Sequence, residues 1–341
     1  MSSVTSRLNA IASPAIGLGC MNLSHGYGSP LPEAEARHAL SEAFEMGYRH
    51  FDTATLYGAT ANENLVGKAL TGKRDEILLA SKGGMAMDPD LGRKVIDGRP
   101  ATLRRQCEAS LARLQTDHID LYYLHRWDKN VPIEESVGTL GRLVEQGKIG
   151  AVGLSEVSAA TLRRARGEHP IAAVQSEYSL WTRNPEIALL EACREADTVL
   201  VAFSPLGRGF LAGAVRDPAR LEASDMRRSM PRFHAENHAH NLRLLEAFTA
   251  LARTLEMTPG QLALAWLRAQ GDDVLPIPGS RNIAHTRENL AAENLRLSAD
   301  SLARLNAMLT HDQVAGARYG AAQQAEVDTE TFAASDTQPR N

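Results

Sequence analysis

The 341-residue chain is 43% hydrophobic and 23% charged with a formal net charge of −4, an ordinary globular balance that leaves no basic footprint for nucleic acid or an anionic membrane surface. No stretch approaches the ~18 consecutive apolar residues of a membrane span, and the N-terminal MSSVTSRLNAIASP lacks a signal-peptide core, so a cytoplasmic protein is expected. Cys20, Cys107 and Cys193 are odd in number and widely spaced, which suits small buried side chains rather than a disulfide framework or a zinc site.

In chain order, short apolar runs alternate with segments of helical period. The runs are IGLGCMNL from Ile16, YRHFDTA from Tyr48, EILLASKGG from Glu76, IDLYYLH from Ile119, IGAVGLS from Ile149, AAVQSEY from Ala172, TVLVAFSPL from Thr198 and DVLPIPGS from Asp273. Helix-like stretches such as PEAEARHALSEAFEMG, ATLRRQCEASLARL and IEESVGTLGRLVEQG lie between them, and two helical patterns after Asn241 are split at Thr258 and Pro259. Near-continuous apolar strands separated by helices imply a parallel sheet covered by helices, and eight units imply an α/β chain closed into a single (β/α)8 barrel. The runner-up is a doubly wound open sheet. Its dinucleotide fingerprint fails here, because Gly17 and Gly19 lack the third glycine and lie within a strand-like run.

The barrel is predicted over residues 1–318, with a long functional loop at about 207–240 and a polar, mobile tail at 319–341. In such a barrel the reactive groups stand at the C-terminal ends of the strands. The second run ends in Asp52, with Tyr57 in the loop that follows; the third ends in Lys82 and the fourth in His125. A tyrosine is a weak acid unless a cation stabilises its phenolate, and Lys82 supplies that charge. Asp52 keeps the buried ammonium charged, while His125 hydrogen-bonds the reacting oxygen. The set reads as a general acid. Singly, each residue has an ordinary explanation in capping or packing; together, on successive strand ends, they describe a site.

GYRHFDTATLYG, SKGG, LHRWD, GLSEVS, QSEYSLW, SPLGRGFL and PIPGSRN followed by ENLAA resemble the aldo-keto reductase superfamily from about Ile16 to Tyr319, most closely its bacterial and plant branch with SPLGRGFL. The resemblance puts the family's catalytic tetrad on Asp52, Tyr57, Lys82 and His125. It also implies NADPH, with NADH less favoured, and a hydride passed to an aldehyde or ketone in an alcohol:NADP+ oxidoreductase reaction. Ser155 and Gln175 match positions that hold the nicotinamide carboxamide. Ser204, Leu206, Gly207, Arg208 and Gly209 match the wrap around the pyrophosphate. Gly279, Ser280 and Arg281 match the 2′-phosphate site, and Glu288 and Asn289 the adenine contacts. Position 156, where relatives commonly carry asparagine, is glutamate and is assigned no role.

Met21, Trp127 and Phe210 are expected to flank an apolar substrate pocket. No metal is expected: His234, His238 and His240 form a cluster, but a further ligand of fixed geometry is not evident. The expected partner is a small carbonyl compound, and the chain a monomer or weak homo-oligomer. The alternative function is an NADPH-binding sensor with little turnover.

Overall fold

The computed structural model describes residues 15–88 and 90–332. Its strands are β1 (Leu18–Gly19), β2 (His50–Asp52), β3 (Leu78–Gly83), β4 (Met85–Asp88), β5 (Arg93–Ile96), β6 (Ile119–Leu124), β7 (Ile149–Ser155), β8 (Ile171–Glu177), β9 (Val199–Phe203) and β10 (Val274–Pro276). All but β4 and β5 form one parallel sheet in the order β1-β2-β3-β6-β7-β8-β9-β10. The backbone N–H of Gly17 donates to Pro276 O at 3.0 Å and that of Gly19 to Pro278 O at 3.2 Å, joining the first strand to the last and closing the barrel. Glycine is needed at that seam. A Cβ on Gly19 would meet Ile277 O at 2.9 Å, and one on Gly279 would meet Gly19 O at 2.8 Å.

Helices α1 (Glu33–Glu45), α2 (Ala61–Ala69), α3 (Pro100–Leu114), α4 (Ile133–Glu145), α5 (Ala159–Glu168) and α6 (Leu189–Glu195) alternate with these strands. Two helices, α7 (Ala235–Thr254) and α8 (Pro259–Arg268), precede β10, and α9 (Ile283–Ala291) and α10 (Ala299–Met308) follow it. The break between α7 and α8 lies where the sequence predicts it: Thr258 and Gln261 form a capping box, with Pro259 in the first helical turn. Among the described residues, no helix is long and apolar enough to cross a membrane.

Side-chain alternation along each strand fixes which residues reach the barrel interior. Leu78 and Ala80 of β3, Leu121 and Tyr123 of β6, and Ala173 of β8 belong to one inner apolar cluster. Two residues further along the same strands come Lys82, His125 and Gln175. The polar groups therefore form the last layer of an otherwise apolar stack. The larger cluster packs the outer strand faces against the helices and includes the buried Cys20, Cys107 and Cys193.

Three expectations change. The antiparallel β4–β5 hairpin is absent from the eight-run reading, because its residues Met85–Asp88 and Arg93–Ile96 are mostly polar or partly exposed. The long loop ends at His234 rather than near residue 240, since AENHAHN forms the first turns of α7. The segment from Tyr319 is docked, not free, as far as Phe332: Tyr319 and Val327 are buried, Lys94 pairs with Glu326 at 2.5 Å, and Asp328 accepts from Thr161 Oγ1 at 2.6 Å. Its polar residues caught partners on the barrel instead of solvent. Residues 333–341 of the predicted tail lie outside the described residues.

Candidate active site

Asp52 ends β2, and its backbone is in register with Gly19 on one side and Ala80 on the other. Lys82 is fully buried and its Nζ contacts Asp52 Oδ1, donates to Thr53 O at 2.9 Å, and reaches the Tyr57 hydroxyl at 3.2 Å. Gln175 Nε2 donates to the other Asp52 oxygen at 2.8 Å. The carboxylate is therefore held from both sides. The His125 ring stands edge-on to Tyr57, with centroids 5.7 Å apart and planes at 85°.

The loop that carries Tyr57 is pinned. Asn62, itself buried, donates to Cys20 O and to Ser24 Oγ, both at 2.9 Å, and its Oδ1 meets Thr53 Oγ1 at 2.6 Å. Ala59 and Thr60 take positive φ of 49° and 79°, a strained turn held by these bonds.

Burial alone would discharge Lys82; the Asp52 carboxylate and the Tyr57 hydroxyl outweigh it and hold the ammonium above its ordinary value. Tyr57 ends above the ordinary phenol value: burial dominates, and Lys82 only partly offsets it. The hydroxyl thus stays protonated through the neutral range. Burial, reinforced by Arg126 and Lys82, drives His125 well below the usual imidazole value, so its ring is neutral.

Tyr57 and Asp52 line a cleft of about 670 Å3 whose wall also includes Asn289. Of the residues expected around a cofactor, Gln175, Ser204, Leu206, Gly209, Gly279, Ser280, Arg281, Glu288 and Asn289 line this cleft. Ser204 takes φ of +49°, a left-handed conformation that marks the turn out of β9. Met21 of the expected substrate residues also lines it.

Other expected residues are placed differently. Phe210 is fully buried and stacks on Trp181, centroids 4.1 Å apart, so it is core and not pocket. Trp127 lies away from the cleft wall, its Nε1 bonded to Val131 O at 2.9 Å and its ring facing Arg164. Gly207 is buried with Trp181 against its α-carbon. Arg208 borders the cleft, but its guanidinium is not a free cation: it pairs with Glu177 at 2.7 Å and donates to Tyr319 Oη at 3.1 Å. Ser155 lies below the cleft and accepts from Arg126 Nη1 at 3.1 Å. Phe210, Arg208 and Ser155 share one cause: their side chains were claimed by neighbours about thirty or more positions away in sequence.

Glu156, assigned no role from sequence, is buried and pairs with Arg318 at 2.6 Å while accepting from Glu177 N at 2.9 Å. Of the three histidines, His238 packs beside Phe210 and Phe233, and His240 Nε2 meets Gln313 O at 2.8 Å.

Several further cleft residues were missed, Arg227 and Asn22 among them. Arg227 lines it, clamped by Asp225 at 2.6 Å and lying 4.7 Å over the Tyr27 ring. The paired arginines of MRRS in the long loop were the available signal. Asn22 also lines the cleft, and its buried Oδ1 has no hydrogen-bond partner among the described residues. With Arg281, whose Nη1 donates to Tyr27 O at 3.1 Å, the cleft carries two guanidinium groups at its rim and an orphaned acceptor within. This donor set fits a long, anionic, hydrogen-bonding ligand.

The family model described as "Aldo/keto reductase family" matches residues 15–310. "Aldo-keto reductase yakc [NADP(+)]" of Schizosaccharomyces pombe is 42% identical over 324 residues, covering 94% of this chain and 95% of that protein. "Probable aldo-keto reductase 1" of Glycine max is 45% identical over 307 residues, covering 89% and 88%. The glycerol dehydrogenase AKR11B4 from Gluconobacter oxydans superposes with a TM-score of 0.79 at 27% identity, covering 86% of this chain and 91% of that one. An aldo/keto reductase from Klebsiella pneumoniae in complex with NADP and acetate superposes with a TM-score of 0.67 at 30% identity, covering 86% and 91%. A closed barrel with Asp52, Tyr57, Lys82 and His125 at one mouth, matched by one family model over almost its whole length, belongs to the Aldo/keto reductase family.

Proposed function

We propose that the chain is an NADPH-dependent reductase of aldehydes and ketones, with Tyr57 as the general acid. The observation that carries this reading is the buried Lys82 ammonium, which touches the Asp52 carboxylate and the Tyr57 hydroxyl at once. NADP in the name of the fission yeast relative and in the Klebsiella complex supports the choice of cofactor. Bound in the cleft, that cofactor would supply the hydride for the carbonyl carbon.

The chain's own residues do the rest. Tyr57 donates its hydroxyl proton to the carbonyl oxygen, and the phenolate left behind lies 3.2 Å from Lys82 Nζ. Asp52, gripped by Lys82 and Gln175, keeps that ammonium charged and in place. The neutral His125 donates from one ring nitrogen toward the carbonyl oxygen and so orients it. Arg281, in the position implied for the 2′-phosphate, suits a phosphate and favours NADPH over NADH. Met21 gives the cleft an apolar wall suited to aromatic or medium-sized carbonyls.

The test is a panel of aromatic aldehydes, pyridoxal, small dicarbonyls and quinones assayed with NADPH and with NADH. Turnover of at least one carbonyl, faster with NADPH, is expected. Tight NADPH binding with negligible turnover across the panel would instead favour a sensor.

A further inference from the structure

A second cavity, of about 550 Å3, lies between residues 180–184, Arg232 and the docked C-terminal segment as far as it is described, to Phe332. The proposed reaction makes no use of it. Among the described residues no aspartate or glutamate lines it, whereas Arg183, Arg232 and Arg318 all do. Arg183 is neutralised by Glu186 at 2.7 Å and Arg318 by Glu156 at 2.6 Å. Behind the wall, Arg208 is matched by Glu177 at 2.7 Å.

Arg232 is the cation left over. Its guanidinium donates to Thr182 Oγ1 at 2.7 Å, to Gly316 O at 3.2 Å and to Trp181 O, all uncharged, and among the described residues it makes no ion pair. Burial pushes its pKa down to about 10; Glu177 pulls upward, but Arg318 and Arg208 add to the depression. It is still charged at neutral pH, in a region with surplus positive potential.

An independent observation points the same way. Trp181 lines the cavity and is only 3% exposed, yet its Nε1–H has no acceptor among the described residues. Buried donors are normally satisfied, and an unpaired one on a residue of the cavity wall, beside an unmatched cation, points to an acceptor that carries negative charge. Leu180, Val314 and Phe332 supply an apolar wall.

We propose that this cavity binds a small organic monoanion, a carboxylate on an apolar body, with its oxygens on the Arg232 guanidinium and the Trp181 indole N–H. One uncompensated charge selects a monoanion, and the volume lies within the range of small-molecule sites. An ionic layer separates it from the reacting cleft: Arg208 on the cleft side donates to Tyr319 on the cavity side, with Glu177 and Glu156 between.

Calorimetric titration of benzoate into the full chain, with and without NADP+, tests the proposal, with benzamide as the neutral isostere. Benzoate is expected to bind in both states, and benzamide about tenfold more weakly or worse. Trp181→Phe deletes the unpaired donor and keeps an aromatic ring, so it should weaken benzoate severalfold. Arg232→Gln should weaken it about tenfold or more. Should that variant not fold, Ala317→Trp, which plugs the cavity from an exposed wall position, should abolish binding. Tyr57→Phe should leave benzoate affinity unchanged. The proposal is overturned if benzoate does not bind, if benzamide binds equally well, or if Trp181→Phe and Ala317→Trp leave affinity unchanged. Loss of binding in Tyr57→Phe overturns it too, because the anion would then sit at the reacting mouth.

Discussion

Gln175 Nε2 donates to Asp52 Oδ2 at 2.8 Å, occupying the carboxylate oxygen that Lys82 leaves open. The residue that the family resemblance implies as a carboxamide holder thus has a second duty within the catalytic set. Replacing it with leucine leaves a buried carboxylate oxygen without a donor, which costs about 1–3 kcal/mol. Urea denaturation of Gln175→Leu should show that loss, and kcat should fall with it because the Asp52–Lys82 pair is no longer held. Unchanged stability and kcat would mean that Lys82 alone fixes Asp52.

Arg281 tests cofactor discrimination. A charge-assisted contact to phosphate is worth about 1.5–3 kcal/mol, roughly one to two decades of affinity. Arg281→Met should raise the KM for NADPH about tenfold or more and leave that for NADH nearly unaltered, as read from initial rates with each cofactor. Equal effects on both would assign the arginine to the pyrophosphate instead.

Phe210 and Met21, both expected in the substrate pocket, should behave oppositely. Phe210 is buried against Trp181, so Phe210→Ala should cost about 3–5 kcal/mol of stability. Met21→Ala at the cleft should instead shift KM among carbonyl substrates with little change in stability. Thermal melts paired with KM measurements separate the two outcomes.

What was legible in the sequence follows from strand parity. Asp52, Lys82 and His125 are placed by counting along apolar runs, because each stands at or beside the end of a strand whose inner residues alternate, whereas Gln175, inside β8, is placed only by the family resemblance. Pairings across long separations were not legible: Glu156 meets Arg318 across 162 positions, and Arg208 meets Tyr319 across 111. The same blindness sent Phe210 to the pocket, since only the fold brings Trp181 onto its face. The docked tail was misread because its carboxylates Glu326 and Asp328 resemble those of a solvated segment until Lys94 and Thr161 are beside them.

Stability should fall on mild acidification. Burial outweighs the pull of Asp52 and, with Lys82, pushes His50 down to about 4; His125 is likewise depressed by burial and by Arg126. Both folded values lie below the unfolded one near 6.5, so the unfolded chain takes up protons first as pH drops. Stability is therefore fully present above about 6.5 and is lost progressively toward pH ~4, with His50 alone contributing about 3 kcal/mol. Urea midpoints measured at intervals between neutrality and that pH should decline steadily. A flat profile over the window would show that these two rings are not buried neutral.

The account turns on Tyr57 as the proton donor held by Lys82. Pre-steady-state and steady-state assays of Tyr57→Phe with NADPH and an activated aromatic aldehyde measure it most directly. Turnover should fall by about 10²–10⁴-fold while the NADPH dissociation constant stays within error of the parent. Parental turnover in Tyr57→Phe would contradict the account, whatever the cofactor affinity.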